Sequence, residues 1–354
     1  MAKRGGEKYS VAISPIDSPM NPFVKNFSNC FRDRGFDVIL YDWSWSDCGQ
    51  AEAIILHWPD MFFSARTLRQ SAKALWILAK LMVARARGAR LVWVAHNAKP
   101  HESGAGRWLV QRLFFWNLDG IIFLSEASKD LVCGLYSPLR RTRLAVTVHG
   151  HYRDDAVTPP TPLRQPGQPI RAISFGQIRP YKNLEKLAAV TGRETPDEVH
   201  LTILGRVIDR ALAGRLAASA APHIRLDLRD GVIPDKDLEA AIDASDAVIL
   251  PFADIMNSAT ALMALSRNRP ILTPALGSLP ELRENVGHDW VYLYKGEFDG
   301  AVLRRFIGEL RNRRGSAVCD LSKYDWGPIA DTLSTFIRDL IDHPHSTGRQ
   351  PQKI

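Results

Sequence analysis

Cysteine is scarce and unpaired: Cys30, Cys48, Cys133 and Cys319 are the only four in 354 residues, and none forms a Cys-x-x-Cys. This argues against a disulfide framework and a structural zinc site, and predicts reduced, structural thiols. Long apolar runs are also missing. The longest, Ala74 to Ala84, is interrupted by Lys80 and falls short of the roughly 20 residues that span a bilayer. The N-terminus is basic from Met1 to Lys8 but leads into a short run, Tyr9 to Ser14, rather than a signal-peptide core. A cytoplasmic protein is expected. Gly-x-Gly-x-x-Gly does not follow that first run, which continues instead as Pro15 to Pro22, and no Walker lysine motif or His-x3-His pair occurs. Dinucleotide, P-loop and metal chemistry all lose ground.

Acidic residues are missing from one region in particular. Met61 to Trp116 holds ten basic residues and a single acid, Glu102. Up to Thr158 there are 21 Lys+Arg against 14 Asp+Glu, a net of +7, and the remainder has 25 against 24, a net of +1. The overall charge of +8 is therefore N-terminal, and it calls for a polyanionic partner or an anionic surface.

What is present is a regular alternation of short β-rich runs and helical stretches, in a chain that is 45% apolar and 24% charged. This predicts an α/β protein with parallel sheets. The N-terminal runs are 9–14, 37–41, 53–57, 91–95, 120–124 and 144–148. Helices are expected over 22–34, 65–87, 107–116 and 128–135. A second series of runs covers 171–175, 201–204, 224–228, 247–250, 270–273 and 291–294. The stretch 154–169 carries five prolines and separates the series as a linker. The expected organisation is two Rossmann-like domains, 1–153 and 170–318, facing each other across a cleft, then a helix at 319–342 returning to the first domain and a polar tail at 343–354. Ligands would bind at the carboxyl ends of the strands.

Two segments carry chemistry. In Ser174-Phe-Gly-Gln-Ile-Arg-Pro-Tyr-Lys-Asn183, Gly176 admits a close backbone approach, and Arg179 and Lys182 place cations beside a helix start, an arrangement suited to a diphosphate. Two solvated bases on an ordinary turn would look the same. In Pro251 to Ser266, Asn257 and Ser258 precede an apolar helix whose first amides are free to meet phosphate, and one of the two is expected to cap it.

Further segments add to these two: Asn21-Pro22, His57-Trp-Pro-Asp60, His96-Asn97 with Pro100-His-Glu102, His149-Gly-His-Tyr-Arg-Asp154, Ile178-Arg-Pro-Tyr-Lys182 and Val286 to Asp299. In this order, from about Tyr9 to Ile341, the chain resembles the β-1,4-mannosyltransferases of xanthan-type exopolysaccharide assembly, glycosyltransferases of GT-B fold. The resemblance implies GDP-mannose as donor and a polyprenyl-diphosphate-linked oligosaccharide ending in glucuronic acid as acceptor; no cofactor is expected, and no metal, because Arg179, Lys182 and helix-terminal amides can stabilise the leaving diphosphate. The sequence departs from the pattern at Asp60, often Glu, and at Ala259, often Gly. The Glu-x7-Glu of many retaining GT-B enzymes would fall at Ile255 and Met263, which is compatible with an inverting reaction. Such a reaction needs one base on the acceptor side.

Glu102 is the first candidate base, with Asp60 and Asp17 as rivals; an ion pair of Glu102 with Lys99 or Arg107 is the alternative. By the same resemblance His96 contacts a donor hydroxyl or phosphate. Asn21, His57, His101, His149, His151 and Arg153 are expected to line the acceptor side, although an interdomain structural role suits His149 and His151 equally well. Gly205 and Arg206, in the loop expected after the run 201–204, and Ile233, in the loop after 224–228, are placed near the guanine by fold analogy, with ordinary loop residues as the alternative, and Glu281 near the ribose or serving only the helix dipole. The helices over 65–90 and 107–116 mix large apolar residues with Lys73, Lys80, Arg85, Arg87, Arg107 and Arg112, so they are expected to dock on the anionic inner face of the membrane as well as pack on the sheet. Three alternatives stand beside this reading: another donor such as UDP-glucuronic acid, a non-catalytic nucleotide-sugar binder, and a nucleic-acid-binding protein. The last lacks RNA-binding signatures, and no nucleic acid is expected.

Overall fold

The computed structural model describes residues 8–17, 22–44, 49–63, 67–97, 107–136, 139, 142–153, 167–195, 197–313 and 318–343. The chain divides into two compact units, Met1–Gly150 with Tyr324–Ile354, and His151–Lys323.

In the first unit six strands, β1 (Ser10–Ser14), β2 (Asp37–Leu40), β3 (Ala53–His57), β4 (Arg90–Ala95), β5 (Gly120–Phe123) and β6 (Arg143–Val146), form one parallel sheet in the order β2-β1-β3-β4-β5-β6. Strands β3 and β5 are buried at every residue, as expected of a parallel sheet covered on both faces. Its helices are α1 (Pro22–Arg32), α2 (Leu68–Ala86), α3 (Arg107–Asn117) and α4 (Glu126–Leu135). Helix α1 starts on Pro22, whose missing N–H is no loss in a first turn. It turns Phe23, Phe27 and Phe31 inward at helical spacing, each burial contributing about 1.5–3 kcal/mol.

The second unit has β7 (Ile170–Ile178), α5 (Leu184–Glu194), β8 (Val199–Val207), α6 (Arg210–Ser219), β9 (Ile224–Arg229), α7 (Asp235–Asp243), β10 (Ala247–Ile249), α8 (Ala259–Ser266), β11 (Ile271–Pro274), α9 (Leu279–Val286), β12 (Val291–Tyr294) and α10 (Gly300–Arg311). Its parallel sheet runs β12-β11-β10-β7-β8-β9. The strand order reverses between β7 and β10, and in the first unit between β1 and β3. In open α/β sheets ligands bind outside the carboxyl ends at such points.

Helix α11 (Trp326–Asp342) belongs to the first unit. It lies against α1 and β6, and Arg143 pairs with Asp339. Gly120 is bare because a Cβ there would come within 2.9 Å of the Phe336 ring.

Strand boundaries differ from the sequence reading by one or two residues except in the second unit, where β7 runs on past Phe175 to Ile178 and β8 to Val207. The pairing of Gly176 with Gly205 and of Gln177 with Arg206 continues the ladder where turn chemistry was expected. Gly205 and Arg206 are thus strand residues, not members of a loop.

Candidate active site

In the second unit the segments after β7 and β10 meet at the switch point. Strand β7 ends at Ile178, a 3-10 turn covers Pro180–Lys182, and Asn183 at φ 55 redirects the chain into α5. Within β7, Gly176 has φ +112, and a Cβ there would stand 2.6 Å from Lys182 Nζ. A Cβ on the facing Gly205 would come within 2.4 Å of the Gly176 carbonyl oxygen. Gly176 leaves room for the Lys182 amine, which donates to the Phe175 carbonyl at 2.9 Å, whereas the space beside Gly205 is filled by the Gly176 carbonyl and the Ile178 side chain. The same amine reaches Thr260 Oγ1 at 3.5 Å in the first turn of α8. Arg179, half-buried, donates through Nε to Gln177 Oε1 at 2.7 Å.

Lys182 is buried, which pushes its amine down to about 8, with the nearby Arg179 charge a further cause. A desolvated cation without a carboxylate in the contacts above is unfavourable alone and strongly favoured once an anion arrives. The N-terminus of α8 acts in the same sense. Ser258 Oγ caps it by accepting from the Ala261 amide at 3.1 Å, and the helix dipole adds partial positive charge. The loop ahead of α8 is held in place by Ala253 N–H, which donates to the Tyr181 carbonyl at 2.8 Å. Gly277 braces it from the other side at φ +53, where a Cβ would strike the Ile255 and Met256 carbonyls at 2.4 and 2.5 Å. Glu281 stands in the first turn of α9 and Ile233 in the loop between β9 and α7, both half-buried.

The first unit gathers a different set of groups. His57 ends β3, His96 follows β4 and His149 follows β6, and all three are buried. His57 Nδ1 and His96 Nε2 are 2.8 Å apart. His149 Nδ1 lies 3.0 Å from the Gly150 carbonyl oxygen. Phe23 touches all three imidazoles, with centroids 6.1, 5.3 and 4.3 Å away. Trp58, held at φ 44, stacks on His96 at 4.2 Å and 22°. Trp326 of α11 closes on Phe23 at 5.6 Å and covers Gly150, where a Cβ would stand 2.3 Å from the indole. Burial drives His57 down to about 3 and His149 to about 4, and holds His96 well below its ordinary range, with the neighbouring histidines a second cause for His96. The cluster is neutral at physiological pH. A small pocket beside it is lined by Trp58, Pro59, Asp60, Phe63, Trp93, His96 and Asn97. Asp60 and Asp17 are exposed in the segments after β3 and β1.

The expected acceptor set is therefore divided. His57, His96 and His149 come together, whereas His151 and Arg153 belong to the second unit. There Arg153 donates to Asn268 Oδ1 at 2.9 Å and to the Cys319 carbonyl at 3.1 Å, tying the unit's two ends to the turn after α8. Those bonds fasten the fold. Asn21, His101 and Glu102 lie outside the described residues. Phe23, Trp58, Trp326 and Thr260 were not singled out from sequence. For Trp58 the signal was its place between His57 and Asp60, but the contacts of Phe23 and Trp326 arise only on folding.

Two proteins of Xanthomonas campestris pv. campestris named GDP-mannose:glycolipid 4-β-D-mannosyltransferase are each 30% identical to this chain over 283 residues, 78% of its length and 77% of theirs. The chain belongs to this mannosyltransferase family. No protein-family model matches it. Among solved structures, a sucrose-phosphate synthase from Thermosynechococcus elongatus superposes with a TM-score of 0.65 at 12% identity, covering 95% of this chain and 100% of the other. The lipopolysaccharide outer core galactosyltransferase WaaB gives 0.55 at 14% identity, covering 95% and 98%. The fold of the chain is GT-B, and the chain is a glycosyltransferase. Among the described residues no group of three or more His, Cys, Asp or Glu has a metal-binding arrangement.

Proposed function

We propose that this enzyme transfers mannose from GDP-mannose, with inversion, to the terminal glucuronic acid of a polyprenyl-diphosphate-linked oligosaccharide. The observation that carries the reading is the buried Lys182 amine at the N-terminus of α8, in the space that the missing side chain of Gly176 leaves for it. That site suits the diphosphate of a nucleotide sugar, and the activity for which the relatives are named supports GDP-mannose as donor and a glycolipid as acceptor.

In this reading the acceptor hydroxyl gives its proton to a carboxylate as its oxygen attacks the anomeric carbon. The bond from that carbon to the diphosphate oxygen breaks, and its electron pair leaves on GDP. Lys182, Arg179 and the first amides of α8 stabilise the departing charge, so the proposal assigns that task to protein groups rather than to a metal. Glu102 remains the first choice as base, with Asp60 and Asp17 as rivals; replacing Glu102 by Gln is expected to abolish transfer and leave GDP binding intact. His96 is assigned a hydrogen bond to a sugar hydroxyl or phosphate oxygen. Arg206 and Ile233 are assigned to the guanine, Asn257 to the phosphates and Glu281 to the ribose.

The acceptor's lipid suggests an enzyme that rests on the membrane's inner face. Helix α2 exposes Leu68 (92%), Leu75, Trp76 (52%) and Met82 at helical spacing, and α3 exposes Leu109 and Trp116 (58%). Lys73 and Arg112 are exposed beside them. Two of the other basic residues expected there serve the fold. Lys80 is buried, and Arg85 holds Asp119 at 2.9 Å. Among the described residues no helix is long and apolar enough to cross a membrane, so the proposal is peripheral binding. Flotation with anionic vesicles that survives Trp76→Glu, Trp116→Glu and reversal of Lys73 and Arg112 would remove this part. The donor reading is tested by thermal shift with GDP and UDP: GDP is expected to stabilise the protein, and stabilisation by UDP alone would overturn the mannose assignment.

A further inference from the structure

The histidine pair of the first unit contains an atom that the proposed transfer does not use. His57 Nε2 is buried and has no hydrogen-bond partner among the described residues, while His57 Nδ1 faces His96 Nε2 at 2.8 Å. Between two neutral imidazoles at this distance, one nitrogen carries a hydrogen and the other accepts it. If His96 were the donor, the proton of His57 would sit on Nε2 as an unpaired buried N–H. If His57 is the donor, its Nε2 carries only a lone pair. Orphaned buried N–H groups are the rarer and costlier defect, so the second arrangement is preferred.

We infer that His57 is a positioning residue: its Nδ1–H donates to His96 Nε2, which fixes the remaining proton of His96 on Nδ1 and makes that ring a directed hydrogen-bond donor. The surroundings hold the ring in place. Trp58 covers one face of His96, and Phe23 meets the ring nearly perpendicularly, at 87°. Phe27 packs on His57 at 4.7 Å and 84°. His149 Nδ1 is directed at the Gly150 carbonyl. Burial disfavours adding a proton to either ring, so the pair is poorly suited to be the base of the reaction. A neutral N–H of fixed direction is suited to an oxygen acceptor, whether a mannose hydroxyl or a phosphate oxygen. A His96 protonated on Nε2 would instead present a lone pair on Nδ1, which cannot donate to a phosphate.

This inference rests on the reading that His96 contacts the substrate, and the test separates the two. In His57→Asn the amide nitrogen takes the place of Nδ1, whereas His57→Gln extends its amide toward the position of Nε2. Transfer kinetics are measured for both and for His96→Ala, each with its melting temperature. The expected result is a fall of about tenfold in kcat for His57→Gln, recovered to within about threefold of wild type by His57→Asn, with KM for donor little changed. Equal losses in the two His57 variants, with His96→Ala inactive, overturn the positioning role alone. Wild-type turnover in His96→Ala overturns the reading of His96 itself. Nitrogen chemical shifts of labelled histidine in the wild-type protein give an answer independent of variant folding. Protonation of both rings on Nδ1 is expected, and a His96 protonated on Nε2 refutes the inference.

Discussion

The two units put buried nitrogen bases at the carboxyl ends of their parallel strands and treat them in opposite ways. The first unit buries three histidines among Phe23, Phe27, Trp58 and Trp326, and the cost of desolvation is met by leaving the rings neutral. The second buries one lysine against a carbonyl and a helix N-terminus, with the Phe252 ring 5.6 Å from its amine, and that amine keeps a tendency to be charged near neutral pH. A neutral cluster recognises direction and shape, whereas a desolvated cation recognises charge. That division suits a reaction in which one partner is a diphosphate and the other a sugar hydroxyl.

The largest expected effect comes from removing the cation. Lys182→Met should lower kcat/KM by about 100- to 1000-fold, as loss of one stabiliser of a departing anion does. The apoprotein's melting temperature should hold or rise, because a buried charge has gone. A large loss of stability with modest loss of rate would make Lys182 structural and end the contrast between the units. Gly176→Ala comes next. Its Cβ would fall 2.6 Å from Lys182 Nζ in a backbone at φ +112, so donor affinity should drop about tenfold while stability falls by about 1 kcal/mol. A variant with normal GDP affinity in calorimetry would show that the space beside Gly176 is not used.

Changing pH should separate the units. In the first, His57 and His149 titrate in the fold at about 3 and about 4, against 6.5 in the unfolded chain. The unfolded state binds more protons in this range, so their contribution is complete above 6.5 and is lost as pH falls toward 3. In the second unit Lys182 titrates at about 8 against 10.5. The same sign applies, and apoprotein stability from this group rises as pH climbs from 8 to 10.5. GDP affinity should move the other way, falling as the amine deprotonates, with a midpoint above 8 because a bound anion raises the amine. Denaturation monitored across both windows, together with calorimetry for GDP, checks all three slopes. The smallest effect should be that of Ser258→Ala, about 1 kcal/mol of stability from the lost cap of α8, with weaker phosphate binding and no change in the first unit's acid transition.

Much of this was legible in the sequence, for a physical reason. Alternating apolar runs such as Ile54-Ile-Leu56 and Gly120-Ile-Ile-Phe123 report a parallel sheet directly, and Arg179, Lys182 and Ser258 lie within a few residues of strand ends. What stayed hidden depends on contact between distant segments. The function of Gly176 is fixed by where the Lys182 amine goes, and Gly150 is bare because of Trp326, far along the chain. Arg153 looked like a ligand-side residue beside His151, yet its partners are Asn268 and Cys319. The histidines were visible singly, but their pairing and neutrality follow from Phe23 and Phe27 closing over them.

In the proposed reaction the charged site around Lys182 holds the diphosphate of GDP-mannose for transfer to a lipid-linked acceptor. Incubation of wild-type and Lys182→Met enzyme with radiolabelled GDP-mannose and a glucuronate-terminated polyprenyl-diphosphate oligosaccharide tests it most directly. Label passing to the lipid fraction with the wild type, and about 100-fold more slowly with Lys182→Met, is the predicted result. Equal transfer by both enzymes, or transfer from a UDP-sugar and none from GDP-mannose, would contradict it.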